Sequence, residues 1–143
     1  MNIGIIGQGY VGSAVKIGFE NYYKIFTYDK FDSEKSSCQS VKELVKTSDI
    51  IFVCVPTPMN KETGECHIDI VDEVCKQIDH YSNNSKIIVI KSTIPPGSTD
   101  FLDKKYKNVD IIFNPEFLTE ANFIEDFKNQ KHIILGGEKN TNI

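Results

Sequence analysis

The sequence predicts an α/β fold, a doubly wound parallel sheet of about six strands in a single domain. Segments with strand and helix patterns alternate along the chain, as they do in parallel sheets. A Gly-x-Gly-x-x-Gly motif at residues 7–12 stands between the first strand and the first helix. A nearly unbroken apolar run at residues 49–55 is typical of a parallel strand covered on both faces. We expect the domain to occupy residues 1–136, followed by a polar tail at residues 137–143.

The first half of the chain begins with the apolar residues before the glycines, which predict the first strand. The helix that follows has one apolar face, formed at three- and four-residue spacing by Val11, Ala14, Val15, Gly18 and Phe19. Residues 24–29 predict a second strand, and the polar residues 32–39 a loop. Ser40 and Glu43 have the spacing of a capping box, which predicts a short helix that ends at Lys46.

The second half repeats the alternation after the strand at residues 49–55. A loop containing Asn60, Thr63 and Gly64 leads to a helix at residues 68–80, whose apolar positions share one side. The remaining predicted elements are a strand at 86–90, a helix at 98–105, a strand at 110–113, a helix at 119–127 and a last strand at 131–135.

The glycine motif predicts a Rossmann-like site for the pyrophosphate of a dinucleotide. Gly7 permits the tight turn, Gly9 lets the backbone approach the phosphates, and Gly12 lets the helix pack closely on the strand. The free N–H groups of the first helical turn then face the negative charge of the ligand. The alternative is a plain glycine-rich turn, since the motif alone is weakly specific.

Asp29 ends the second strand about 20 residues after the glycines, the distance at which such sites place a carboxylate for the adenosine ribose. This carboxylate would accept hydrogen bonds from the ribose hydroxyls and repel a 2′-phosphate. All sixteen basic residues are lysine, so no arginine is present to bind such a phosphate. The sequence therefore favours NAD over NADP. The alternative for Asp29 alone is a solvated residue that closes a strand.

Composition excludes several classes of function. A net charge of −4 without a basic stripe gives no support for nucleic-acid binding. No apolar run approaches the roughly 20 residues that span a bilayer, and the first residues already form a strand, so we expect no signal peptide and a cytoplasmic location. The four cysteines lack metal-ligand spacing, so we interpret them as free thiols and expect no metal site.

Three strand ends carry unusual polar segments. Val-Pro-Thr-Pro follows the strand at 49–55, Lys-Ser-Thr-Ile-Pro-Pro-Gly follows the next strand, and Asn-Pro-Glu-Phe-Leu-Thr-Glu follows the one after. Ligands of open α/β sheets bind beyond the carboxyl ends of the strands, so we expect one shared site there. Taken singly, the prolines could simply end strands and Glu116 and Glu120 could be solvated charges at a helix start.

These segments and the glycine motif, in this order, resemble the N-terminal NAD-binding domain of the UDP-glucose/GDP-mannose dehydrogenase family. The resemblance covers essentially the whole chain, and the Asn-Pro-Glu-Phe-Leu segment is its most specific part. It implies a nucleotide-sugar substrate whose C6 alcohol is oxidised to a carboxylate in two NAD-dependent steps.

The resemblance also implies roles for individual residues. Glu116 would position a water or accept protons, Thr93 would help to hold that water, and Glu120 would lie beside the nicotinamide and the sugar. The implied NAD-binding residues are Gly7, Gln8, Gly9, Tyr10, Val11, Gly12, Asp29, Val55, Pro56, Thr57, Ser92, Thr93 and Glu120.

The catalytic cysteine and lysine of the family belong to a second half, and none of the four cysteines matches that thiol. We therefore expect an NAD-binding domain, from a longer enzyme or a truncated relative, that does not turn over UDP-glucose alone. Its partner would be a second copy or a separate C-terminal chain. The alternatives are a non-catalytic NAD-binding or interaction module and a different dehydrogenase, such as a 3-hydroxyacid enzyme. Which nucleotide sugar is used stays open.

Overall fold

A computed structural model describes residues 1–137 of the chain; the remainder of the predicted polar tail lies outside the described residues. Its strands are β1 (Asn2–Ile6), β2 (Lys24–Tyr28), β3 (Ile50–Val53), β4 (Lys86–Ile90) and β5 (Val109–Phe113). Its helices are α1 (Tyr10–Phe19), α2 (Val41–Thr47), α3 (Asp69–Tyr81), α4 (Ser98–Lys105) and α5 (Phe123–Asn129). These bounds confirm the predicted alternation of strands and helices.

The strands form one parallel sheet in the order β2-β1-β3-β4-β5. Helices cover both faces, which confirms the doubly wound architecture. On one face α2, α3 and α4 enclose the larger core cluster, which includes the fully buried Leu44, Ile78 and Leu102. On the other face α1 and α5 pack over Ile3, Ile5 and Phe52. All five carboxyl ends therefore lie at one edge of the sheet.

Local interactions explain the start of α2. The Ser40 hydroxyl accepts a hydrogen bond from Glu43 N at 3.2 Å, and Glu43 Oε2 accepts one from Gln39 N at 2.8 Å. The predicted capping box is therefore present, although the glutamate reaches the amide before the cap residue. Helix α5 begins later than predicted because residues 119–122 form a turn. Asp126 Oδ2 there accepts hydrogen bonds from both the Thr119 amide and its hydroxyl.

The predicted last strand at residues 131–135 does not form. Among the described residues after α5, only Gly136 pairs with β5, through an antiparallel bridge to Phe113. Helix α5 packs on α1, where the Phe127 ring lies against Gly18, so the chain after Asn129 must cross back towards β5 and reaches it only at Gly136. The five strands in residues 1–137 are close to the predicted count of about six.

None of the helices within residues 1–137 has the length and apolar composition needed to cross a membrane.

Candidate functional site

The strand-end segments meet in one cleft at the carboxyl edge of the sheet. This central cleft, of about 310 Å³, is walled by residues 9–11 after β1, residues 54–57 after β3, residues 91–93 after β4, and Glu116 with Leu118 after β5. The sequence placed these segments on separate strands, and the fold brings them together as expected for an open α/β sheet.

The three glycines of the motif have different steric surroundings. Gly7 has φ +92°, and a Cβ atom there would lie 2.5 Å from the carbonyl oxygen of Cys54. A Cβ atom on Gly12 would overlap the carbonyl oxygen of Gly7. Gly9 differs from both, because a Cβ atom there would meet no atom of residues 1–137 within 4 Å apart from its chain neighbours. The space over Gly9 is therefore open to a ligand.

Helix α1 begins at this open space. Its N-cap residue, Gly9, provides no side-chain cap, and the first turn has no acidic residue. The first amides of a helix lack intrahelical acceptors and lie at the positive end of the helix dipole. An anionic diphosphate would supply the missing acceptors.

Asp29 is held by backbone amides beside the glycine turn. Its Oδ2 accepts a hydrogen bond from Gln8 N at 2.7 Å, and its Oδ1 accepts from Phe31 N at 2.9 Å and Asp32 N at 3.1 Å. Burial raises the pKa of Asp29, but these hydrogen bonds and the nearby Lys35 charge together outweigh burial and hold the pKa below its ordinary value. The carboxylate is therefore ionised at neutral pH and in a fixed orientation.

A second concavity, the side pocket of about 230 Å³, adjoins Asp29. Its lining includes Asp29, Phe31, Ile70 and Val74, and it shares Val55 and Pro56 with the central cleft. The two spaces thus lie on either side of the segment after β3. A molecule with two connected halves fits this arrangement.

Lys91 is a site residue that the sequence reasoning missed. Its side chain is only 3% exposed, and its Nζ lies 2.9 Å from Glu116 Oε2. This contact is an ion pair and not an aligned hydrogen bond, because Oε2 is buried without a hydrogen-bond donor among the described residues. The available signal was a charged residue directly after the apolar strand β4, where a solvated loop would be expected to start.

Cys54 also lines the central cleft, just beyond the end of β3 rather than inside a buried strand as predicted. Burial raises the pKa of its thiol to about 12; the nearby Lys91 charge lowers it and the Glu116 charge raises it. The thiol is therefore protonated at neutral pH, a form that is a poor nucleophile.

The other predicted site residues lie on the cleft wall, buried beside the glycine turn, or exposed outside the cleft. Thr57, Ser92 and Thr93 all lie on the cleft wall, and the Ser92 hydroxyl donates to the Val55 carbonyl at 2.7 Å and so joins the segments after β3 and β4. Gln8 is 3% exposed, and its side-chain amide donates to the Gly7 carbonyl. Glu120 is exposed and is not part of the cleft wall. The fold thus brings Glu116 and Thr93 together without Glu120.

Comparison with known proteins identifies the family. The model of the UDP-glucose/GDP-mannose dehydrogenase family, NAD binding domain, matches residues 26–143. The chain belongs to this family. Members of the UDP-glucose/GDP-mannose dehydrogenase family are NAD-dependent nucleotide-sugar dehydrogenases, and the cofactor of the matched domain is NAD. This match decides against the alternative of a 3-hydroxyacid enzyme.

A curated relative supports this family assignment, and two solved structures share the fold. The UDP-glucose 6-dehydrogenase of Rickettsia bellii is 31% identical over 95% of this chain and 39% of the relative. The fold is shared with the GDP-mannose dehydrogenase of Pseudomonas aeruginosa, at TM-score 0.83 and 22% identity over 96% of this chain and 41% of that one. The UDP-glucose dehydrogenase of Pyrobaculum islandicum gives TM-score 0.84 and 23% identity over 95% and 40%. The chain spans about two fifths or less of the length of the curated relatives it matches.

Proposed function

We propose that NAD lies across the carboxyl edge of the sheet, with its adenosine half on the β2 side and its nicotinamide half over β3, β4 and β5. The strand order supports this placement, because the glycine turn after β1 lies between Asp29 after β2 and the segments after the other three strands. With the diphosphate on the start of α1 and one ribose on Asp29, the second nucleoside reaches the central cleft. The observation that carries this proposal is the open space over Gly9 at an uncapped helix start.

In the complete enzyme, we propose, the reaction is the 6-dehydrogenation of a nucleotide sugar of the UDP-glucose or GDP-mannose type, from C6 alcohol to carboxylate. NAD supplies the hydride acceptor when it is bound. Glu116 holds a water or accepts the proton of the alcohol, which suits a carboxylate fixed by Lys91 on one oxygen and by Phe117 N at 2.9 Å on the other. Thr93, on the same wall, helps to hold that water. Glu120 approaches the sugar only if its exposed segment is reordered by the substrate or a partner.

We expect NAD to raise the melting temperature of the purified chain, because a ligand that binds only the folded state stabilises it. Calorimetric titration gives the dissociation constant, and the same chain incubated with NAD and UDP-glucose is followed for NADH. We expect binding without steady NADH production, since the catalytic cysteine and lysine of the family and most of its sugar-nucleotide pocket belong to a second half. An unchanged melting temperature at millimolar NAD contradicts the cofactor placement, and sustained NADH production contradicts the requirement for a second half.

We propose residues 1–136 as the boundaries of the NAD-binding domain, supported by the pairing of Gly136 with Phe113 at 2.7 and 2.8 Å. We also propose a cytoplasmic location, supported by four cysteines that are all free thiols.

An apolar face supports the partner proposal, in which a second copy or a separate C-terminal chain covers the sheet. Ile133, Ile134 and Leu135 are 69%, 51% and 52% exposed beside an apolar groove over β3, β4 and β5. We expect sedimentation at increasing concentration to show self-association, which Ile133→Ser with Leu135→Ser weakens. If the chain is a monomer at all concentrations, a second copy is excluded as the partner. A separate C-terminal chain then remains as the partner that covers this face.

A further inference from the structure

Lys91 is a buried cation in the half of the site proposed for nicotinamide. Besides Glu116, its Nζ contacts Asn114, at 2.8 Å from Oδ1 and 3.5 Å from the backbone carbonyl. The Asn114 amide is in turn oriented by its own donation to the Ile134 carbonyl at 2.9 Å. Burying an ammonium group costs several kcal/mol unless polar partners surround it, and here they do. The lysine charge therefore has a fixed position at the cleft wall.

The described wall of the central cleft has few other ionisable side chains. The titratable side chains on the central cleft wall are Tyr10, Cys54, Lys91 and Glu116. Burial keeps the Cys54 thiol neutral at pH 7. Among the described residues, the cleft wall therefore contains one positive and one negative charge, 2.9 Å apart, and is close to electrically neutral.

Charge balance matters because the two forms of the cofactor differ in charge where they enter this cleft. The oxidised nicotinamide ring is positively charged and the reduced ring is neutral. A lone carboxylate at the wall would attract the oxidised ring, and a lone ammonium would repel it, both with little screening by water. The ion pair cancels most of each effect.

We propose that the Lys91–Glu116 pair sets the ratio of the affinities for oxidised and reduced NAD, with Lys91 offsetting the preference for the oxidised form that Glu116 alone would impose. This inference rests on the proposed placement of nicotinamide over β3, β4 and β5. It assigns to Lys91 an electrostatic role that holding the fold together does not require.

The test compares dissociation constants of NAD⁺ and NADH, measured by calorimetry on the full chain at pH 7. Lys91→Met should shift the ratio towards NAD⁺, and Glu116→Gln should shift it towards NADH, each by about tenfold or more for a charge within a few ångströms. The double variant, which removes both charges, should return the ratio close to that of the unaltered chain. A purely structural role would weaken both forms alike and leave the ratio unchanged.

Lys86→Met is the matched control. Lys86 begins the strand that Lys91 follows, but its Nζ donates to the Ser48 carbonyl at the opposite edge of the sheet; its removal should leave the ratio unchanged. If Lys91→Met does not fold, Glu116→Gln alone decides, since an unaltered ratio in that variant overturns the inference. Equal shifts in one direction for both single variants also overturn it. If the unaltered chain binds neither NAD⁺ nor NADH, the proposed function and this inference are both overturned. If it binds both and the ratio of dissociation constants is the same in all variants, only this inference is overturned.

Discussion

Gly12→Ala should abolish measurable NAD binding and lower the free energy of unfolding by about 1–3 kcal/mol, the usual cost of an overfilled site. The new Cβ atom would overlap the Gly7 carbonyl oxygen, and that oxygen belongs to the backbone and cannot rotate away. The turn and the start of α1 must then separate, which displaces the amides proposed to hold the diphosphate. Urea unfolding and calorimetric titration measure the two effects.

Gly9→Ala is the control that separates binding from folding. Gly9 has φ −68°, which alanine adopts freely, and its Cβ atom would enter open space. We expect the free energy of unfolding to change by less than about 0.5 kcal/mol. NAD affinity should nevertheless fall, because the methyl group occupies the space assigned to the phosphates. A Gly9→Ala chain that binds NAD normally would show that this space is not the diphosphate site.

Asp29→Asn should weaken NAD binding by about tenfold or more and cost about 1–3 kcal/mol of stability, because an amide nitrogen cannot accept the hydrogen bonds that both carboxylate oxygens now accept. The lost charge should also reduce the discrimination against NADP. Titrations with NAD and NADP, together with urea unfolding, measure these changes. Asp32→Asn is the control, since Asp32 forms an exposed pair with Lys35 that contributes little.

The pH dependence of Asp29 follows from its lowered pKa. The folded state binds this proton less tightly than the unfolded chain, whose value is near 3.8. The stabilisation by Asp29 is therefore complete above about pH 5 and is lost as the pH falls through the unfolded-state and then the folded-state pKa. The stability difference between the unaltered chain and Asp29→Asn should shrink below about pH 5. A difference that stays constant down to pH 2 would contradict this.

The sequence predicted features that depend on neighbours along the chain. The glycine turn, the capping box at Ser40 and the buried strand β4 are each determined by a few consecutive residues, and each is present. The cleft itself was predictable because parallel strands place their carboxyl ends at one edge.

Features that depend on distant packing were not predictable. The strand expected at residues 131–135 is absent because α5 packs on α1, and no local pattern reveals that contact. The pairing of Lys91 with Glu116 joins two strand ends through their positions in the sheet. Glu120 is exposed in the turn before α5, where Asp126 Oδ2 accepts hydrogen bonds from the Thr119 amide and hydroxyl across seven residues.

The hydrogen bond from the Ser92 hydroxyl to the Val55 carbonyl joins two walls of the central cleft directly, through groups of the protein alone. Cys66 adds a second link, since its Sγ lies 3.5 Å from the Thr93 carbonyl. A receptor with its walls already joined loses little conformational entropy on association. Dinucleotide capture by this domain should therefore proceed as a nearly rigid-body encounter, with no slow isomerisation step after the first collision.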